Sequence, residues 1–439
     1  MKGFMATYRL VTMLVMTLVF GAVAVAQPSG YKYSKSVTIN ASQVQGTNTD
    51  FPVLISVTDA NLSSNVENSN GYDIIFTSNA NGTGILSHEL ESFNSGTGKL
   101  TAWVKVPSIS SGSNTTIYMF YGRSSGTANT STTATWDTNF KLVMHMEASL
   151  VDATSNGNNG SNNGTGAATG LIGNARDFER NNDDYITVAD DNSLDLTNQL
   201  TISFWLNLGS DIEPDYITKG QNESYEISSR STRRPFFKRN NNSSSLSSGT
   251  TIAQGSWVYL SYVKTTTQKL IYINGNLDTS HNDSGSFDTN SDDLQISRSG
   301  DAMDGLMDEI RISSIPRSAN WIKTEYNNQL NPVAFITLGP QVEYIPPTAP
   351  QNVLATSLAG GNLRISFDDV DESGSGVASY SVKRSATQGG PYTQVGTVTD
   401  NESAIYYFDD STVSNNVTYY YVVTAIDGDN NESVISAEV

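Results

Sequence analysis

The stretch MDGLMDEIRISSIPRSANWIKTEYNNQ, residues 303–329, decides how this chain folds. Its first half alternates. Leu306, Asp308, Ile310 and Ile312 fall on one face of an extended segment, and Met307, Glu309, Arg311 and Ser313 on the other. The apolar face is expected to point into a sandwich, which carries Asp308 inward at a strand end. An ionised carboxylate there requires hydrogen bonds or a cation. Glu309 and Arg311 are then left outside as a surface ion pair of little energetic worth. Adjacent acids on a strand face opposite sides of the sheet. Asp308 and Glu309 are thereby excluded as a glycosidase pair, whose carboxyls must flank one bond at about 5–5.5 Å or 6.5–9.5 Å. The second half of the stretch changes period: Trp321, Ile322 and Tyr326 recur at helical spacing behind Pro316 and a candidate Ser318 cap.

Outward from this stretch, short alternating runs recur between Gly, Asn and Ser clusters, among them LTAWVKV, LTISFWLNL, WVYLSYV and TYYYVVTA. Many short strands separated by turns predict an all-β protein of sandwiches. A polar run at 128–139 and the proline-rich EYIPPTAPQN at 343–352 divide the chain. The reading is three β-sandwich domains in tandem, at 27–140, 141–342 and 347–439, with a linker at 343–346. Residues 1–26 read as a secretory signal peptide: Lys2 and Arg9, an apolar run from Leu10 to Val23, and the small-residue site Ala24-Val25-Ala26.

Composition narrows the function. The chain has 439 residues, no cysteine and a formal charge of −19; loss of Lys2 and Arg9 with the signal takes it to −21. Such a field repels nucleic acid and anionic membranes, and it suits calcium, which takes oxygen ligands. The absence of cysteine excludes disulfides, thiolate metal sites and cysteine nucleophiles. None of the three histidines, His88, His145 and His281, has another at i+3 or i+4, so a histidine-rich metal centre is not expected. No later apolar run approaches membrane length, and no membrane insertion is expected after signal cleavage.

GLIGNARDFERNNDDYITVADDNSLDLTNQLTISFWLNL (170–208), SWVYLSYVKTTTQKLIYINGNLDTS and the opening stretch, in that order, resemble the LamG-like, concanavalin A-type jelly rolls of secreted proteins. The resemblance implies a structural calcium at Asp308, with Glu147 in HMEAS as a second ligand; the alternative is that Asp308 only caps backbone amides of a neighbouring turn. Asp152, Asn156 and Asn158 offer another oxygen-rich loop. Strand alternation leaves Trp205 and Tyr259 opposite the inward residues, either as candidate sugar-stacking platforms or packed under a loop or neighbouring strand. The basic run RSTRRPFFKR (230–239) is read either as a grip for an acidic glycan or as a solvated hairpin balancing nearby acids.

Residues 31–123 resemble a bacterial domain of unknown function that precedes such jelly rolls. Glu89 and Glu91 lie two apart on one of its strands and share a side, with Asp73 a possible third member. Residues 347–439 resemble a fibronectin type III domain, with Tyr419 at that family's corner tyrosine and Phe367 where a core tryptophan is usual. The function expected is non-catalytic recognition outside the cell or at its surface: carbohydrate binding or adhesion to a glycan, an extracellular polymer or another surface protein. A polysaccharide hydrolase using Glu89 and Glu91 and a purely architectural protein are the alternatives.

Overall fold

The computed structural model describes residues 28, 30–123, 128–210, 213–220, 223–230, 232–240, 244–344, 346–370, 376–428 and 431–439. The expected signal peptide lies outside them. The chain forms two compact units that divide at Ile345 and Pro346. Every described strand pair is antiparallel, as turn-rich, alternating segments favour.

The first unit contains two sandwiches. One packs a sheet ordered Ile336–Glu343, Tyr33–Ile39, Thr115–Tyr121, Ile75–Thr77 against a sheet of Thr47–Thr58, Lys99–Ser110 and His88–Asn94. Its core holds Val37, Val53, Val104, Ile117 and Met119. The other is the jelly roll. An eight-stranded sheet centred on Trp257–Lys264, Leu200–Leu208 and Gly305–Ser313 faces a seven-stranded sheet centred on Tyr225–Arg230, Asp215–Lys219 and Leu294–Ile296. Between them lie Phe204, Leu206, Tyr216, Ile227, Tyr262 and Ile310, all fully buried. Alternation explains the layers: Ile202, Phe204 and Leu206 point inward, Ser203 and Trp205 outward.

Two expectations change here. The segment 141–342 is not one domain, because its last strand, Ile336–Glu343, pairs with Tyr33–Ile39 and closes the first sandwich. Tyr344 extends that pairing, so the presumed linker begins within the unit: its backbone N–H donates to the Lys32 carbonyl at 2.6 Å. The helix Ala319–Leu330 forms where the periodicity puts it. Ser318 caps it, its hydroxyl accepting from the Trp321 N–H at 3.1 Å. This helix lies on the outward face of the eight-stranded sheet. It also covers the edge of the first sandwich: the Leu54 N–H donates to Asn328 Oδ1 at 2.7 Å, and Asn328 Nδ2 donates to the Leu54 carbonyl at 3.0 Å. A sheet edge buried without such partners would leave backbone groups unpaired.

The second unit is a small sandwich of two three-stranded sheets, Leu354–Ser357, Leu363–Asp368, Ile405–Asp410 and Thr393–Thr399, Val377–Ser385, Tyr420–Asp427. Phe367 sits in its core, 4.9 Å from the ring of Tyr380, and the Tyr419 hydroxyl accepts from the Ser414 N–H at 3.3 Å.

Replacing Asn328 by Ala strips partners from two buried backbone groups. The expected loss is about 2–4 kcal/mol of stability in the first unit, measured as a lowered urea midpoint with unchanged slope.

Candidate functional site

Two β-bulges face each other across the junction of the sandwich and the jelly roll. On the strand His88–Asn94, Glu91 is the extra residue, since Leu90 pairs with Ala102 and Ser92 with Thr101. On Gly305–Ser313 the register slips between Asp308 and Arg311, and Glu309 takes the left-handed conformation, φ +54°. A glutamate in that region is disfavoured by roughly 1–2 kcal/mol, and bulges of this kind re-aim side chains. The slip overturns the alternation expected from the sequence. Met307, Ile310 and Ile312 enter the jelly-roll core, while Asp308 and Arg311 face the first sandwich. Glu309 and Arg311 are not a surface pair; both are buried.

Between the bulges sits His145, placed by alternation on Phe140–Met144 and its continuation. Leu142, Met144 and Met146 point into the jelly roll, Val143 and His145 away from it. His145 Nδ1 lies 2.8 Å from Glu309 Oε1 and 3.6 Å from Glu91 Oε2, and Nε2 lies 3.4 Å from Glu89 Oε2. Its ring stacks on Trp103 at 5.7 Å. The indole N–H of Trp103 donates to Glu91 at 2.8 Å and that of Trp136 to Glu89 at 2.7 Å. Arg311 Nη2 donates to Glu309 Oε2 at 2.7 Å, and Nη1 donates to Glu325 of the helix. The guanidinium lies 4.3 Å from the Trp103 ring centre and 5.0 Å from that of Trp136. Tyr259 completes the chain, its hydroxyl donating to Glu325 Oε2 at 2.6 Å.

Four residues singled out in the sequence as separate candidates thus meet at one place: Glu89 and Glu91 from the first sandwich, Glu147 and Asp308 from the jelly roll. Asp308 Oδ2 accepts from the N–H groups of Leu171 and Ile172 at 2.9 and 3.0 Å. Glu147 Oε1 accepts from the Asn174 N–H at 3.1 Å. Carboxylates outnumber the cations they touch. Burial, followed by the charges of Glu309 and Glu147, pushes Glu91 up to about 8 against the opposing pull of His145 and the Trp103 N–H. Burial and the charge of Glu309 hold Asp308 well above the usual carboxylate range. Burial alone would lower His145, but Glu309, Glu89 and Glu91 outweigh it and raise the imidazole well above its ordinary value. His145 and Arg311 in turn outweigh burial at Glu309 and hold it below its ordinary value.

Other candidates fall elsewhere. Trp205 and Tyr259 are not sugar platforms: they are buried under Ala319–Leu330, 5.8 and 6.1 Å from the Tyr326 ring, with the Trp205 indole donating to Gln329 at 2.6 Å. Asp73 does not join Glu89 and Glu91. It accepts from the N–H groups of Glu67, Asn68, Gly122 and Arg123 and braces loops. Asp152 spends both oxygens on Val143, Thr154 and Asn158. Asn156 and Asn158 donate their side-chain N–H groups to the Phe140 and Lys141 carbonyls. The basic run forms the hairpin Tyr225–Arg230, Arg234–Arg239, and its charges pair: Lys238 with Glu226 at 2.7 Å and Arg239 with Asp283 at 3.1 Å. His145, Trp103, Trp136, Glu309 and Glu325 were missed as site residues. The one signal for them was the surplus of buried-type aromatics beside acids on adjoining strands.

The jelly roll's other outward face, on the seven-stranded sheet, carries two polar hollows of about 300 and 330 Å³ that share Arg298. Arg298 Nε donates to Asp215 at 2.7 Å, Lys238 pairs with Glu226, and Arg230 lies 3.4 Å from Glu226. The buried hydroxyl of Thr218, in the wall of one hollow, has no hydrogen-bond partner.

Residues 180–323 match the concanavalin A-like lectin/glucanases superfamily, and residues 70–156 match a domain of unknown function, DUF2341. The chain carries a concanavalin A-like domain preceded by a DUF2341 domain. Among solved structures it is similar to the binding domain of Paraclostridial Mosquitocidal Protein 1, with 12% identity over 65% of this chain and 75% of that one and a TM-score of 0.40. It is also similar to domain 4 of AbnA, an extracellular GH43 arabinanase from Geobacillus stearothermophilus, in complex with arabinotriose: 18% identity, 43% and 98% covered, TM-score 0.37. An Fn3-like protein from Clostridium thermocellum is 33% identical over 21% of this chain and 90% of that one, with a TM-score of 0.18. None of the curated proteins matches the chain.

Arg311→Met leaves Glu309 and Glu325 buried without their shared cation. The first unit should lose about 3–5 kcal/mol, read as a lowered denaturant midpoint. Arg364→Met, at an exposed pair with Asp409 in the second unit, should leave that unit's midpoint where it was.

Proposed function

We propose that this is a secreted, non-catalytic carbohydrate-recognition protein whose glycan lies along the outward face of the jelly roll's seven-stranded sheet. The observation that carries this reading is the contrast between the two outward faces. Within residues 27–345 the eight-stranded sheet is covered by the helix and the first sandwich, whereas the seven-stranded sheet opens into hollows joined through Arg298. Paired acids and bases such as Arg298–Asp215 and Lys238–Glu226 present fixed donors and acceptors side by side. That arrangement suits a polyhydroxylated ligand, which needs both at once. The match to a superfamily of lectins and glucanases supports a carbohydrate ligand in general.

Several features fit this reading. Among the described residues no helix is long and apolar enough to cross a membrane, in keeping with export behind the proposed signal peptide. The second unit is read as a fibronectin type III spacer. The hydrolase reading at Glu89 and Glu91 is disfavoured by their surroundings. Each carboxylate is tied to an indole N–H and lies beside His145, and the Glu91 side chain is 2% exposed.

A glycan array probed with the full chain tests the proposal. Binding to one class of polysaccharide is expected, and Arg230→Ala at the rim of the hollow should weaken it about tenfold, about 1.4 kcal/mol, with the melting temperature unchanged. No glycan bound, or reducing-sugar release that Glu91→Gln abolishes, would overturn it.

A further inference from the structure

The first sandwich holds a cavity of about 470 Å³ beside the starts of the strands Ile75–Thr77 and His88–Asn94. That volume lies within the range of about 300–1,000 Å³ typical of small-molecule sites, and it exceeds what an inorganic anion fills. The lining divides by chemistry. Tyr31, Ile75 and Leu86 are buried and form an apolar wall, and Ile85 beside them is 69% exposed. Ser87 and Thr130 bring hydroxyls, and Arg123 brings a guanidinium. No described residue of the lining is acidic. His88 is not a second cation. Its ring nitrogens lie 3.2 Å from the Leu86 carbonyl oxygen and 3.0 Å from the Thr130 hydroxyl, and burial holds it below its ordinary value, so it is neutral at pH 7.

The turn before Arg123 aims it. Gly122 takes φ +82°, and a Cβ there would come 2.6 Å from the Tyr33 ring, so only glycine fits. The N–H groups of Gly122 and Arg123 donate to Asp73 Oδ2 at 3.0 and 3.2 Å, which fixes the turn and spends the Asp73 carboxylate on backbone. The guanidinium itself is less well served. Its Nε is buried and has no hydrogen-bond partner, and the group lies 5.6 Å from the Tyr31 ring centre. Among the described residues it forms no ion pair, unlike Arg298, Arg311 and Arg317, each of which meets a carboxylate. The chain has 44 acids against 25 bases. An unmatched cation in a cavity free of acids is, in such a chain, a seat for an anion.

The rest of the lining selects the kind of anion. An inorganic ion would leave the apolar wall bare, and a hydrocarbon acid would make no use of the hydroxyls. A pyranose ring that bears a carboxylate presents an apolar ring face, hydroxyls and one charge, which match the three parts of the lining. We propose that the first sandwich carries a carbohydrate site of its own for a uronic-acid residue, whose carboxylate meets Arg123 and whose ring lies against Tyr31, Ile75 and Leu86. The proposal does not rest on the glycan reading of the jelly roll, because the hollows around Arg298 belong to another domain.

Isothermal titration of the full chain with D-glucuronate and D-galacturonate tests it. Saturable binding of at least one is expected, with D-glucose and D-galactose at least about tenfold weaker, since they lack the group that pairs with the guanidinium. Arg123→Met should weaken uronate binding at least about tenfold with the melting temperature little changed, because no carboxylate loses a partner. Ile85→Asp, at an exposed position, puts an acid into the lining and should weaken uronate binding likewise; it decides if Arg123→Met does not fold. Arg230→Ala, in the jelly-roll hollow, should leave uronate binding as it was. Failure of both uronates to bind the wild type overturns the proposal, as does a neutral sugar bound as tightly. Undiminished binding by a folded Arg123→Met or by Ile85→Asp, or its loss in Arg230→Ala, places the uronate elsewhere and overturns it too. Benzoate bound more tightly than either uronate would show a cavity that takes apolar acids, and the sugar assignment would fall.

Discussion

The guanidinium of Arg311 is the group on which the first unit turns. It lies between Glu309 of its own strand and Glu325 of the helix, beneath the rings of Trp103 and Trp136 from the first sandwich. Each structural layer therefore supplies one side of its cage. A buried guanidinium persists only where its charge is matched and its planar face is covered, and both conditions require the sandwich, the helix and the jelly roll to be docked at once. This ties the three layers into one body more specifically than apolar packing alone. It also fixes the helix, whose other residues hide Trp205 and Tyr259.

The cost of that arrangement is concentrated in the two bulges. Without the slip at Glu309, Asp308 would point into an apolar core on the side of Ile310 and Ile312. Without the extra residue at Glu91, that strand would run on in simple pleat toward Asn94. The strained glutamate at φ +54° is tolerated because His145 and Arg311 hold its carboxylate from two sides.

Much of the fold was legible in the sequence, and the reason is periodicity. Alternation at Ile202–Leu206 and at Val258–Tyr262 assigns the inward faces correctly, and the spacing of Trp321, Ile322 and Tyr326 behind Ser318 assigns the helix. Alternation fails where one residue is added. A bulge leaves no mark in the pattern of residue types, since Glu309 is no glycine, so Asp308 was turned to the wrong face. Trp205 and Tyr259 were given the correct side of their sheet, but what covers that side is decided by a helix more than sixty positions further on in sequence. The meeting of Glu89, Glu91, Glu147 and Asp308 is a matter of docking between domains, which no local pattern records.

The pairing of Ile336–Glu343 with Tyr33–Ile39 has a mechanical meaning. Tyr33 stands opposite Glu343, so the chain enters and leaves the first unit at neighbouring points, and the whole jelly roll is a loop thrown out between them. Tension along the polypeptide is then borne by that one strand pair, loaded from its end like a zipper. The jelly roll hangs to the side of the line of force. The jelly roll can then stay relaxed while that strand pair carries the load.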